Sequence, residues 1–411
     1  MEVRHSHGLT QMIHAQSHTI SIAFLIALVS CLSACAPSHP TEWEQHAYIW
    51  SRLEATEPLS VPNGISAVRV LVAQWSAVDD VPWVLESTIP ARDLMSEAII
   101  PVVRLDGSSI KVPAPVVAQT LRTHLPQWRA DWMPQAIEID HDSATARLGD
   151  YARWLREFRQ AWGDQSKVWI TALPDWRHSP SLSELLDSAD AYTLQVHAID
   201  ANASGLLDTG KAMAWAAQFE AASDTPYFVA LPTYLLRVGR DEAGAVRFVE
   251  SENQLGASAA KEQMLFADPA ELAALATKLR NMRTGKRRGI AWFRLPGSRD
   301  RNTLSAQTFA ALVAGDAVER KVAVSAVPVE SGAATFDLIL RNEGAHDTGL
   351  PRRIEMGTGC EVGDSASGYR AAADRRQLDR TAQGLLRSGQ KKSLGWMRCT
   401  SSEPHEPIVH W

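Results

Sequence analysis

The chain has 411 residues, of which 45% are apolar and 21% charged. That composition suits two or three packed domains and excludes a disordered tail, a collagen-like rod and a multi-span membrane protein. The 41 Lys and Arg against 47 Asp and Glu give a formal net charge of -6, which argues against a nucleic-acid partner, since that calls for a concentrated basic face.

The N-terminal run IAFLIALVSCLSAC, residues 22–35, is too short for a settled transmembrane helix and fits the apolar region of a signal peptide. It closes on Leu32-Ser33-Ala34-Cys35, small residues before a Cys, which resembles the lipobox of bacterial lipoproteins. Residues 1–35 are therefore expected to be a lipoprotein signal peptide, with Cys35 the lipidated residue. A weaker match ends at Cys31. Arg4 is the only Lys or Arg of the leader, which points to Met12 as an alternative start. Ala36 after the Cys gives no inner-membrane retention signal, so the expected location is the cell envelope, anchored at the outer membrane if the cell is Gram-negative. In an oxidising compartment Cys360 and Cys399 are expected to pair; two buried thiols are the alternative.

After a linker at 36–45, a short apolar run followed by a turn and a helical pattern recurs eight times. The runs are AYIWSRL (47–53), SAVRVLVAQWS (66–76), AIIPVVRLDG (98–107), AIEIDHD (136–142), KVWITALPDW (167–176), AYTLQVHAID (191–200), YFVALPTY (227–234) and GIAWFRLP (289–296). Helical patterns fall at 146–162, 181–190, 209–222 and 268–283. Such alternation predicts an α/β fold, a (βα)8 TIM-type barrel over 46–318. An open doubly wound sheet is the alternative, without a GxGxxG after its first strand. From about residue 319 the pattern turns to period two, in 318–330 and 334–344, and predicts a small β-sandwich over 319–411. Residues 361–391 read as a long loop or a short helix.

In a barrel, side chains near the C-terminal strand ends that point into the lumen line the active site. Strand four then offers Glu138, Asp140 and Asp142 on one face, about 6.5–7 Å apart in succession. Strand three offers Arg104 and Asp106. Strand five gives Thr171 and Asp175, with Trp176 at the rim. Strand six gives Gln195 and His197, strand seven Tyr234, strand eight Trp292 and Arg294, and strand one Trp50 and Arg52. Three acids on one lumen face are costly unless they are paired, hydrated or functional. Carboxyl pairs do glycosidic chemistry, one of them protonating the leaving oxygen. The 14 Trp, against 9 Phe and 6 Tyr, could supply rings that stack on sugars. The catalytic candidates are Asp142 as general acid, Asp140 as its electrostatic partner, and Glu138 in support with Arg104 and Gln195. Trp50, Trp176 and Trp292 are candidate sugar platforms. Asp106, Asp175, His197, Tyr234 and Arg294 complete the expected glycan-binding mouth. The competing reading is that Arg104, Arg294 and His197 simply neutralise the acids, leaving a non-catalytic glycan- or protein-binding lipoprotein. No motif calls for a cofactor. A metal site is not expected, because His141 should point toward the helices.

The phrases YIWSR, VVRLDG, IEIDHDSATARLGDYARWLREFR, TALPDW and LQVHAID resemble the bacterial domain-of-unknown-function family 3142, over roughly residues 47–295. The resemblance implies a secreted or lipid-anchored protein with a glycosidase-type barrel and no assigned activity. A more distant similarity is to family 18 glycoside hydrolases, the chitinase group, whose fourth strand carries D-x-x-D-x-D-x-E. It implies that Glu138 and Asp140 stand at the later Asp positions. Asp142 stands where that family has its catalytic Glu, one methylene shorter.

Overall fold

The structure is a computed structural model that describes residues 42–50, 61–75, 98–128, 134–164, 166–197, 205–250, 261–282, 284–297, 300–329 and 334–411. Cys31, Cys35, Met12 and Arg52 lie outside the described residues.

Eight parallel strands close a barrel: β1 (Glu44–Ile49), β2 (Ala67–Trp75), β3 (Ile99–Leu105), β4 (Ala136–Asp140), β5 (Lys167–Ala172), β6 (Ala191–Gln195), β7 (Tyr227–Pro232) and β11 (Arg287–Phe293). The closing seam pairs Glu44 with Gly289 and Ala47 with Trp292. A side chain at Gly289 would bring its Cβ 1.8 Å from the Glu44 carbonyl, so only glycine lets the two strands meet there. Helices α1 (Ala114–Trp128), α2 (Leu148–Trp162), α3 (Leu182–Asp187), α4 (Thr209–Ala222), α5 (Pro269–Asn281) and α6 (Ala306–Ala314) pack outside. Among the described residues no helix is long and apolar enough to cross a membrane.

Helix α2 illustrates how the sequence builds this layer. Leu148, Tyr151, Ala152, Leu155, Phe158 and Trp162 recur at helical spacing and are all buried, each large one contributing about 1.5–3 kcal/mol. Trp154, Phe158 and Trp162, four residues apart, stack at 5.5 and 6.0 Å. Gly163 then ends the helix with φ 79°, a left-handed turn that glycine adopts without strain.

Strand alternation sorts the barrel into two layers. In β4 Ile137 and Ile139 join the core under the helices. The lumen fills instead with Tyr48, Ile100, Val102, Trp169 and Phe228. Within it Arg69 of β2 is fully buried. Its Nη1 donates to Glu138 at 2.7 Å, and its guanidinium lies 4.6 Å from the Phe228 ring and 5.1 Å from that of Trp169.

Between β7 and α5 the chain adds an antiparallel sheet, β8 (Leu236–Arg240), β9 (Val246–Glu250) and β10 (Lys261–Leu265), in the order β10-β8-β9. It rises beside the barrel mouth. The β8–β9 turn is closed by Gly244 at φ 91° and by Ala245 N–H donating to Asp241 Oδ1 at 2.8 Å.

The C-terminal region is strand-rich. One sheet joins β12 (Val322–Pro328), β13 (Thr335–Asn342), β20 (Lys391–Cys399) and β16 (Cys360–Ser365). A second joins β17 (Tyr369–Ala371), β18 (Gln377–Arg380), β15 (Arg353–Glu355) and β21 (Ile408–His410); β14 (Thr348–Gly349) pairs with β19 (Leu385–Leu386). The two four-stranded sheets share a core of Phe336, Leu338, Ile354, Val362, Leu378 and Met397. The segment 361–391, expected as loop or helix, is four short strands instead. Tight turns at Ser367, Gly368 and Arg375, all with positive φ, break its alternation into pieces too short to read.

The barrel and these sheets are tied by a buried carboxylate. Asp347 Oδ2 accepts from Ser305 N–H and from Arg387 Nη1, both at 2.7 Å. Arg387 Nη2 also donates to the Thr303 carbonyl at 2.6 Å.

Cys360 and Cys399 face each other across β16 and β20 and are joined by a disulfide. Replacing both by Ser is expected to lower stability by about 2–4 kcal/mol, because the bond removes conformations from the unfolded chain. Urea unfolding followed with and without reductant checks this; coincident curves would contradict it.

Candidate active cleft at the barrel mouth

The C-terminal strand ends and the added sheet enclose a cleft of about 480 Å³. Tyr48 and Trp50 enter from β1, Gln74 from β2, Arg104 from β3, Asp140 from β4 and Thr171 from β5. Gln195 and His197 come from β6 and its end, Tyr234 from beyond β7, and Phe293 from β11. Leu236, Val249 and Glu250 of the added sheet form one wall.

Arg104 organises the polar side. Its Nε donates to Asp106 Oδ1 at 2.9 Å, Nη1 to Asp140 Oδ2 at 2.5 Å and Nη2 to Asp142 Oδ2 at 2.7 Å. Asp140 is buried, and its other oxygen accepts from Thr171 Oγ1 at 2.6 Å. Asp106 Oδ2 accepts from Gln74 Nε2 at 2.5 Å. Three carboxyl groups thus share one guanidinium, and Asp140 foremost, then Asp142, make it hold its proton more firmly. Asp142 differs from its neighbours. Its side chain is 41% exposed, and its Oδ1 has no hydrogen-bond partner among the described residues. Burial of its inner edge, and then the charge of Asp140, push its carboxyl above the usual Asp range against the pull of Arg104.

The aromatic side is continuous. Phe293 lies 5.1 Å from Trp50, 5.2 Å from Tyr48 and 5.5 Å from Tyr234. His197 stands edge-on to Tyr234 at 5.6 Å. Burial depresses its imidazole to about 4, so the ring is neutral at ordinary pH, and its Nδ1 has no hydrogen-bond partner among the described residues.

Of the residues singled out in the sequence, the structure brings Trp50, Arg104, Asp140, Gln195, His197 and Tyr234 to the cleft, with Asp106 and Asp142 joined to it through Arg104. Five others lie elsewhere. Glu138 sits below the cleft in the sealed lumen, where its Oε1 accepts from Arg69, from Tyr48 OH at 2.8 Å and from Thr193 Oγ1 at 2.9 Å. Trp176 is fully buried behind the strands and donates to the Ser143 carbonyl at 2.9 Å. Asp175 is 86% exposed beside Arg177. Both follow the end of β5, in a 3-10 turn over Pro174–His178, where strand alternation no longer applies. Trp292 points into the helix layer against Phe309, with its Nε1 donating to Gln45 Oε1 at 3.2 Å; Phe293 takes the lumen place. Arg294 has left the strand and pairs, buried, with Asp300 at 2.6 Å.

Neither Arg294 nor His197 neutralises the strand-four acids. Arg104 serves the upper two and Arg69 serves Glu138. His141 turns away from the lumen and its Nδ1–H donates to the Leu105 carbonyl at 2.9 Å. Among the described residues no three His, Cys, Asp or Glu converge to hold a metal ion.

Solved structures that resemble the chain include the spore cortex-lytic enzyme SleL of Bacillus megaterium, at 10% identity and a TM-score of 0.46 over 68% of this chain and 75% of that one. A chitinase from Bacteroides thetaiotaomicron aligns at 10% identity and a TM-score of 0.46, over 62% of this chain and 90% of that one. A xylanase and alpha-amylase inhibitor protein from Scadoxus multiflorus aligns at 11% identity and a TM-score of 0.42, over 67% of this chain and 100% of that one. None of these likenesses bears on an individual residue. No curated protein sequence matches the chain. Residues 325–400 match a second domain of unknown function, DUF8456. Residues 96–298, which carry β3 through β11 and most of the cleft, match the domain of unknown function DUF3142, and that stretch of the chain is a domain of this family.

Proposed function

We propose that the chain is a lipid-anchored envelope protein, held through Cys35, whose barrel cleft binds a glycan. The observation that carries this reading is the composition of the cleft. One side is a run of rings, Trp50, Tyr48, Phe293 and Tyr234, fit to lie against sugar faces. The other offers Gln74, Thr171, Gln195 and the Arg104–Asp140 pair, fit to exchange hydrogen bonds with hydroxyls. Binding without turnover is the reading favoured by Arg104, which engages both Asp140 and Asp142 and so competes with the proton a general acid must carry.

A second reading, hydrolysis, is favoured by one observation. The carboxyl of Asp142 is pushed upward beside Asp140, the direction a general acid requires.

The test uses the mature chain with Cys35→Ser, screened against chitooligosaccharides, peptidoglycan fragments and exopolysaccharides. Tryptophan fluorescence reads binding and mass spectrometry reads products. Binding that weakens at least about tenfold, or about 1.4 kcal/mol, in Trp50→Ala, without product, is the expected result. Product that disappears in Asp142→Asn would establish the hydrolase instead. Silence in both channels would remove the glycan.

A further inference from the structure

We infer that the cleft selects glycans bearing free amino groups over neutral or anionic ones, an inference that rests on the glycan reading and specifies its ligand. At the barrel mouth Asp106, Asp140 and Asp142 all lie on the single guanidinium of Arg104, so the cluster carries two more carboxyl groups than cations. Glu250, the other carboxylate that lines the cleft, is bound by Arg237 at 2.7 Å. His197, half-buried and neutral, adds no positive charge.

The hydrogen-bond inventory locates the opening. Both oxygens of Asp140 are taken, by Arg104 and Thr171, and both of Asp106, by Arg104 and Gln74. Asp142 Oδ1 is the carboxylate oxygen of this cluster left without a partner among the described residues, on a side chain open to solvent. An ammonium group placed there would gain a charge-assisted hydrogen bond and offset the excess negative charge. A sugar carboxylate or phosphate would meet like charge instead. A second feature points to a ligand independently of the acids. His197 lines the cleft beside Tyr234 and Phe293, and its buried Nδ1 has no partner among the described residues, which leaves a nitrogen that a sugar hydroxyl or amide could satisfy.

The experiment titrates the mature Cys35→Ser chain, at roughly pH 6 where an amine is charged, with chitosan oligosaccharides, N-acetylated chitooligosaccharides, oligogalacturonate and a lysine-rich peptide. The deacetylated oligomer is expected to bind at least tenfold tighter than the acetylated one, and the ratio is expected to shrink as salt rises. Asp142→Asn should collapse that ratio, and Asp106→Asn should reduce it. Asp150→Asn, on the exposed face of α2, serves as a charge control and should preserve it. Equal binding of both chitin-derived ligands, or tighter binding of oligogalacturonate, overturns the inference while leaving the glycan reading intact. A lysine-rich peptide that binds as tightly as the chitosan oligomer overturns the sugar component. Failure of every saccharide to bind removes the glycan reading itself.

Discussion

Replacing Arg69 by Met is expected to lower the unfolding free energy by about 3–5 kcal/mol, the usual consequence of stripping one partner from a buried ion pair. Arg69 and Glu138 are both 0% exposed. Glu138 Oε1 would keep its bonds from Tyr48 and Thr193 but lose its only charged donor among the described residues. Burial already pushes the Glu138 carboxyl upward, with Arg69 the main force opposing it. In the variant the group would take up a proton instead of staying charged, so the loss should be smaller in mild acid than at neutral pH. The double variant Arg69→Met with Glu138→Gln should recover most of the stability, since neither charge then remains in the lumen. Denaturant unfolding of the four chains supplies the cycle. A loss below about 1 kcal/mol in Arg69→Met, or no recovery in the double variant, would show that the pair does not hold the barrel floor.

Arg69 also shows where the sequence stops being legible. The eight barrel strands are readable because each is a β-branched run bounded by turns, and the acids of AIEIDHD stand out because two-residue spacing sets them on one face. Arg69 lies in SAVRVLVAQWS, where apolar residues on both sides hide which face is which. The same strand carries an irregularity between Leu71 and Ala73, and that shift turns Gln74 into the lumen against the alternation set by Ala67 and Arg69. On β11 two adjacent rings, Trp292 and Phe293, compete for the inward place, and composition cannot rank them. Tyr48 was within reach, being two residues before Trp50 on the same face. The wall formed by Leu236, Val249 and Glu250 was legible in principle, since RVGRDEAGAVRFVE has alternating runs around a glycine turn. What no local pattern encodes is the meeting of Asp106, Asp140 and Asp142 on Arg104. That depends on β3 and β4 being neighbours in register, with Arg104 opposite Asp140.

Stability should fall as the pH drops from about 6.5 to about 4, and His46 is the main cause. The ring is 1% exposed, and burial depresses its pKa to about 4 from an ordinary 6.5. Arg69 Nε donates to its Nδ1 at 3.1 Å, so Nδ1 must be the bare acceptor and Nε2–H the donor to Glu44 Oε2, also at 3.1 Å. Protonation would place a hydrogen on Nδ1 facing the Arg69 N–H, and the fold resists it. In this window the unfolded chain therefore binds more protons than the folded one, and linkage makes stability rise with pH. At 1.36 kcal/mol per pKa unit, His46 accounts for about 3 kcal/mol between the two limits. His197 acts in the same direction, and so does Glu44, whose lowered carboxyl loses its contribution as it protonates. Glu138 and Asp142 oppose the trend, because their raised carboxyls take up protons more readily in the folded chain. The clean readout is therefore a difference between two proteins. His46→Gln keeps an acceptor for Arg69 and a donor for Glu44 but does not titrate, so its stability curve should be flatter than the parent's by about 3 kcal/mol across the window. Parallel curves for the two chains would mean that His46 is protonated in the fold and that the Arg69 contact does not fix its tautomer.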